Sequence, residues 1–119
     1  MFRPRSVMPG PSSVLGAIPP SLRIYEALRG RIARLGPVEE LVEANSIHLV
    51  RRSAFAGVHP RQGGLLLVIR TATPIESNRI RKVERVSANR WHNELLIQDL
   101  ADVDDQVLEW VATAYELGG

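Results

Sequence analysis

The chain contains no cysteine among its 119 residues. Disulfide staples, thiolate metal ligands and thiol nucleophiles are therefore excluded, and the absence suits a reducing compartment. Long apolar runs are missing too, and none approaches the roughly 18 residues that span a membrane. The N-terminal stretch that comes nearest to a secretory core, Val14–Ile18, is five residues long and stops at two prolines. That is too short for a signal sequence, so a cytoplasmic location is expected. Lysine is nearly absent: fourteen of the fifteen basic residues are arginine, and Lys82 is the exception. A GC-rich genome would produce the same bias, but arginine's planar fork also suits phosphate and carboxylate.

Charge of one sign is scarce in two segments. Residues 48–92 carry eight arginines and Lys82 against only Glu76 and Glu84, and all three histidines fall there. Residues 93–119 carry seven acids and no base. A net charge of +2 therefore hides a basic middle and an acidic tail, a division that matters more than the total.

What is present suffices for one domain. A hydrophobic fraction of 45% in 119 residues allows a single core of two packed layers. Residues 1–20 hold five prolines and no hydrophobic period, which predicts a mobile arm ahead of a single domain over 21–119. Ser21 to Leu35 predicts a helix, because Ile24, Leu28, Ile32 and Leu35 fall on one stripe. VEEL (38–41) is ambiguous. NSIHLVRR (45–52), SAFAGVH (53–59) and GLLLVIRT (64–71) predict three antiparallel strands with turns at Arg51–Ser53 and Pro60–Gly64. The apolar run Leu65–Ile69 implies a strand covered on both faces or central in its sheet. Residues 72–81 predict a loop and the first place to look for local mobility. KVERV (82–86) and ELLIQ (94–98) add two strands. A C-terminal helix follows, capped by Asp102 with Asp104 and Asp105 in its first turn, and Val103, Val107, Trp110, Val111 and Ala114 form its apolar face. The expected fold is α+β: an N-terminal helix, an antiparallel β-meander of about five strands, and a C-terminal helix packed on the sheet.

Three blocks together, IYEALR (24–29), AFAGVHPRQGGLLLVIR (54–70) and VSANRWHNELLI (86–97) with the later Ala114-Tyr115, give the chain a recognisable pattern. It resembles the bacterial "domain of unknown function 5655" family of small α+β domains, over roughly residues 22–117. The resemblance implies an accessory module and supplies no catalytic residue to carry over. Its likeness in outline to the double-wing group of predicted DNA-binding domains is one of fold alone.

Two stretches are candidates for ligand contact. In GVHPRQGG (57–64), the bland reading is a hairpin tip with Gly63-Gly64 at positive φ. The sharper one is an anion site of Arg61, His59 and glycine amides, without the GxxxxGK[ST] pattern of a phosphate loop. In RWHNEL (90–95), Trp91 and His92 point to opposite faces of a strand, so either Trp91 is core or it stacks on a base. His48, His59 and His92 lack HxxxH or HxH spacing, and no metal site or cofactor is expected. No serine sits in a nucleophile context.

The reading is a non-enzymatic binding module for an anionic ligand, nucleic acid first, through a basic sheet surface of Arg51, Arg52, His59, Arg61, Arg90 and His92. One alternative is a protein-interaction or homo-oligomerisation module whose basic sheet meets an acidic helix. The other is a metal-free hydrolase using His59 or His92, which requires a concave pocket pairing one of them with a carboxylate.

Overall fold

A computed structural model describes residues 21–119 and, by backbone alone, Phe2–Pro4. Strand β1 (Phe2–Pro4) runs parallel to Val38–Glu40. The rest of the expected arm lies outside the described residues.

Helix α1 (Ser21–Ile32) buries Ile24, Leu28 and Ile32, three of the four residues of the expected stripe, and adds Tyr25 beside them, while Leu35 falls in the following turn and is half-buried. Its first residue is tied down, because Ser21 Oγ donates to the Gly64 carbonyl at 2.6 Å. A 3-10 turn, Ala33–Leu35, ends the helix. Strands β2 (Val38–Val42), β3 (Ile47–Val50), β4 (Ala54–Arg61) and β5 (Gly64–Thr71) then form an antiparallel meander. The ambiguous VEEL segment is thus a strand, and it carries a buried acid: Tyr25 Oη donates to Glu40 Oε2. The β4–β5 tip closes over Gln62 and Gly63, and only Gly63 has positive φ, 78°. Gly64 is required for a different reason, since a Cβ there would collide with the Ile97 carbonyl oxygen.

The meander then breaks its order. Strands β6 (Lys82–Ser87) and β7 (Arg90–Ile97) form a hairpin, but β7 inserts beside β5, giving the order β1-β2-β3-β4-β5-β7-β6. Most of the segment expected to link the last two strands, RWHN, belongs to β7 itself. Strand β5 becomes central, which explains its apolar run: Leu65, Leu66, Leu67 and Ile69 are all buried.

Helix α2 (Asp105–Leu117) packs on β4 and β5, and α1 packs on β5 and α2. Both helices lie against the face carrying Ile47, Leu49, Val58, Leu65, Leu67, Ile69, Leu95 and Ile97, and those residues form one core with them. The α+β expectation holds. The helix cap shifts by one motif: Asp104, not Asp102, accepts from Val107 N–H, at 3.1 Å. Asp102 instead accepts from Gln98 N–H at 3.2 Å, in the turn before the helix.

The loop 72–81 is anchored rather than loose. Asn93, fully buried on β7, accepts from Ile75 N–H at 2.9 Å and donates to Thr71 Oγ1 at 2.8 Å and to Ile69 O at 2.9 Å. Arg79 grips the α2 cap through Asp104 at 3.0 Å and lies over Trp110. Two polar anchors therefore offset the ordering cost of a segment with little apolar surface.

Candidate ligand-binding face

Side chains alternate across a strand, so the residues between the core positions must face the other way. On β3 that is His48, on β4 Gly57, His59 and Arg61, on β5 Leu66, Val68 and Arg70, and on β7 Arg90, His92 and Glu94. The cross-strand register aligns His48 with Gly57, Gly57 with Val68 and Val68 with Glu94 in one row. Arg70 and His92 pair in a neighbouring row, and His59 pairs with Leu66 on the other side. The result is a depression of about 190 Å³ that brings together His48, His59, His92, Arg70 and Glu94 over a floor of Gly57 and Val68. Among the described residues, no helix covers this face.

Gly57 opens the floor. A Cβ on it would stand 3.7 Å from His59 Nε2 and 3.9 Å from both His48 Cδ2 and Val68 Cβ. Any larger residue would fill the space between the two imidazoles.

The depression is polar but only partly charged. Arg70 donates from Nε to His92 Nε2 at 3.3 Å and from Nη1 to the Ala54 carbonyl at 2.8 Å. Burial lowers the pKa of His92, and the Arg70 cation lowers it further, against the pull of Glu84 and Glu94. His59 is likewise pushed down, first by burial and then by Arg61 and His48. Both imidazoles therefore favour the neutral form, in which one ring nitrogen donates and the other accepts. His48 Nε2 lies 3.5 Å from Glu43 Oε1. The Glu94 side chain makes no hydrogen bond or ion pair among the described residues, although Lys82 is its cross-strand neighbour. The three imidazoles share the depression without converging, and among the described residues no cluster is arranged to hold a metal ion.

The six residues read from the sequence divide into three groups. His59 and His92 line the depression. Arg52 sits exposed in the β3–β4 turn and Arg61 at the β4–β5 tip, whereas Arg90, at the start of β7, is half-buried beside Ala114, Leu117 and Gly118. Among the described residues, Arg61 and Arg90 make side-chain hydrogen bonds only to the adjacent carbonyls of Pro60 (2.8 Å) and Asn89 (3.4 Å). Arg51 is structural: its guanidinium lies 4.3 Å over the Tyr115 ring, donates to Tyr115 O at 3.2 Å and approaches Glu116 at 3.8 Å. Tyr115 in turn packs edge-on against Phe55 with centroids 5.3 Å apart.

The acidic tail answers only part of the basic charge. Asp104 binds Arg79 at 3.0 Å, Asp105 binds Arg31 at 2.6 Å and Glu116 lies near Arg51. No such pair with a C-terminal acid involves Arg52, Arg61, Arg70 or Arg90 among the described residues. Trp91 faces the helix side, half-buried beneath Arg85 at 5.6 Å, so the stacking role considered for it falls away from the open face. His48, Gly57 and Arg70 were not singled out from the sequence. Their strand parity was visible, but the strand order that gathers them was not.

The family described as Domain of unknown function (DUF5655) matches residues 13–118. No curated protein and no solved structure gives a match. Among the described residues, no helix is long and apolar enough to cross a membrane.

Proposed function

Because the chain belongs to the DUF5655 family, a domain whose function is unknown, we propose its function from its own surface: a cytoplasmic binding module that takes nucleic acid on the open face of its sheet. The observation that carries this reading is the gathering of His48, His59, His92 and Arg70 into one depression on the face away from both helices. Arg61 and Arg90 lie on strand positions of that same face, and Arg52 lies in the turn between β3 and β4. A phosphodiester strand crossing the sheet would meet the guanidinium groups of that rim while its bases reach ring side chains. That division of labour supports binding to single strands. The acidic helix is already engaged with Arg31, Arg51 and Arg79, which weakens the alternative that its acids seek the basic sheet of a second copy.

Fluorescence anisotropy against single-stranded and duplex oligonucleotides at two salt concentrations tests the proposal. Binding that weakens steeply with salt is expected, with single strands preferred. No binding at about 50 mM salt, where phosphate contacts are strong, would remove it.

The hydrolase reading retains one specific observation: Glu94 shares the depression with His59 and His92. Hydrogen bonding goes against it, because His92 Nε2 accepts from Arg70, and the carboxylate found nearest an imidazole is Glu43 at His48, 3.5 Å away. A general base needs its orienting carboxylate within hydrogen-bond reach.

A further inference from the structure

We infer that the depression receives one unpaired base of a single strand and that Glu94 makes guanine the preferred base. The inference rests on the nucleic-acid reading above and adds which part of the ligand enters and what reads it.

Size and shape come first. A depression of about 190 Å³ has room for one heterocycle. A duplex keeps the faces of its bases stacked and is read by an element that projects into a groove. A concave sheet face offers no such element. An unstacked base is held differently, by ring side chains on its faces and hydrogen bonds on its Watson–Crick edge, and histidine serves among those rings. Gly57 leaves the floor level between His59 and Val68, which lets a flat ring lie down on it.

Charge then selects the base over the phosphate. A phosphate seated in the depression would face the Glu94 carboxylate, a like charge with no cation bound to it among the described residues. The phosphates therefore stay on the rim with Arg61 and Arg90, and the pocket takes the neutral part of the nucleotide. A carboxylate is acceptor-only and accepts two parallel N–H bonds well. Guanine presents two adjacent donors on its Watson–Crick edge, N1–H and N2–H₂. Adenine and cytosine place a ring-nitrogen acceptor beside their amine, and uracil or thymine flanks its single N–H with two carbonyls, so each sets a lone pair against Glu94. Arg70 is not the reader, because its Nε and Nη1 are committed to His92 and Ala54. It is a positioning residue that fixes the imidazole wall.

The test uses the full chain and labelled pyrimidine-rich single strands that differ at one central base. The guanine strand should bind on the order of tenfold tighter than the adenine, cytosine and thymine strands, the size expected of one bidentate contact. Glu94→Gln, which swaps one acceptor for a donor at nearly constant shape, should erase that preference by weakening the guanine strand and relieving the lone-pair repulsion felt by the other three. Inosine in place of guanine removes the N2 amine without touching the protein, and it should lose most of the advantage whether or not the variant folds. Equal affinity for all four bases, or a guanine preference that survives both changes, overturns the inference while leaving strand binding intact. Absence of binding to every strand would instead overturn the nucleic-acid reading beneath it.

Discussion

Arg70 and His92 stand directly opposite each other on β5 and β7, and the Arg70 Nε–H points into the His92 ring nitrogen at 3.3 Å. A cation that donates a hydrogen bond to an imidazole holds that imidazole neutral twice over, by charge and by occupying its lone pair. Arg70→Met should therefore let the His92 titration rise toward its ordinary 6.5, read by NMR of the imidazole protons as pH is varied. An unchanged titration would show that burial alone sets it.

The same shifts predict how stability responds to acid. His59 and His92 both have folded-state pKa values below 6.5, so the unfolded chain binds more protons just beneath that pH. Their neutral forms stabilise the fold fully above about 6.5, and that contribution is lost as pH falls through their folded values. Thermal midpoints of the wild type should fall over that window, and the His59→Gln, His92→Gln double variant should fall less. Parallel curves for the two proteins would refute the assignment.

Leu67 occupies the centre of the central strand with no exposure, inside the core formed with both helices. Leu67→Ala should cost about 2–5 kcal/mol in denaturant unfolding, the loss of transfer energy plus an unfilled cavity. A loss below about 1 kcal/mol would place the packing elsewhere.

Asn93→Ala should act at a distance in sequence. Its side chain satisfies Ile75 N–H, Ile69 O and Thr71 Oγ1, so its removal strands buried polar groups at a cost of about 1–3 kcal/mol. Amide exchange at Ile75 should quicken far more than at Leu67, and uniform quickening would argue against an anchoring role.

Much of this was legible in the chain and some was not, for physical reasons. Amphipathic α1, the leucine strand and the acid-capped α2 follow from local periodicity, which needs no knowledge of partners. The loop 72–81 was legible as a loop, but its anchors, Asn93 and Arg79, were not, because they are single polar side chains whose partners come from other elements. The depression was half visible. His59 and His92 were picked out, and alternation put His48 and Arg70 on the same outward parity. Their gathering around one depression depends on β7 inserting beside β5, a pairing that no local pattern specifies. Arg51 was read as part of the basic surface, and its packing over Tyr115 was not legible because that ring lies 64 residues away in the chain.

The central claim is that the open sheet face, and not basic charge in general, binds the ligand. Its most direct measurement is the salt dependence of oligonucleotide affinity in two variants. Replacing Arg52, Arg61 and Arg90 together by alanine removes three phosphate partners, so the slope of log affinity against log salt should flatten by about two units for a single strand. Arg51→Ala removes the same kind of charge from a side chain already held by Tyr115 and Glu116. It should lower the thermal midpoint and leave that slope unchanged. An equal flattening per arginine in both variants, or no change in either, would contradict the account.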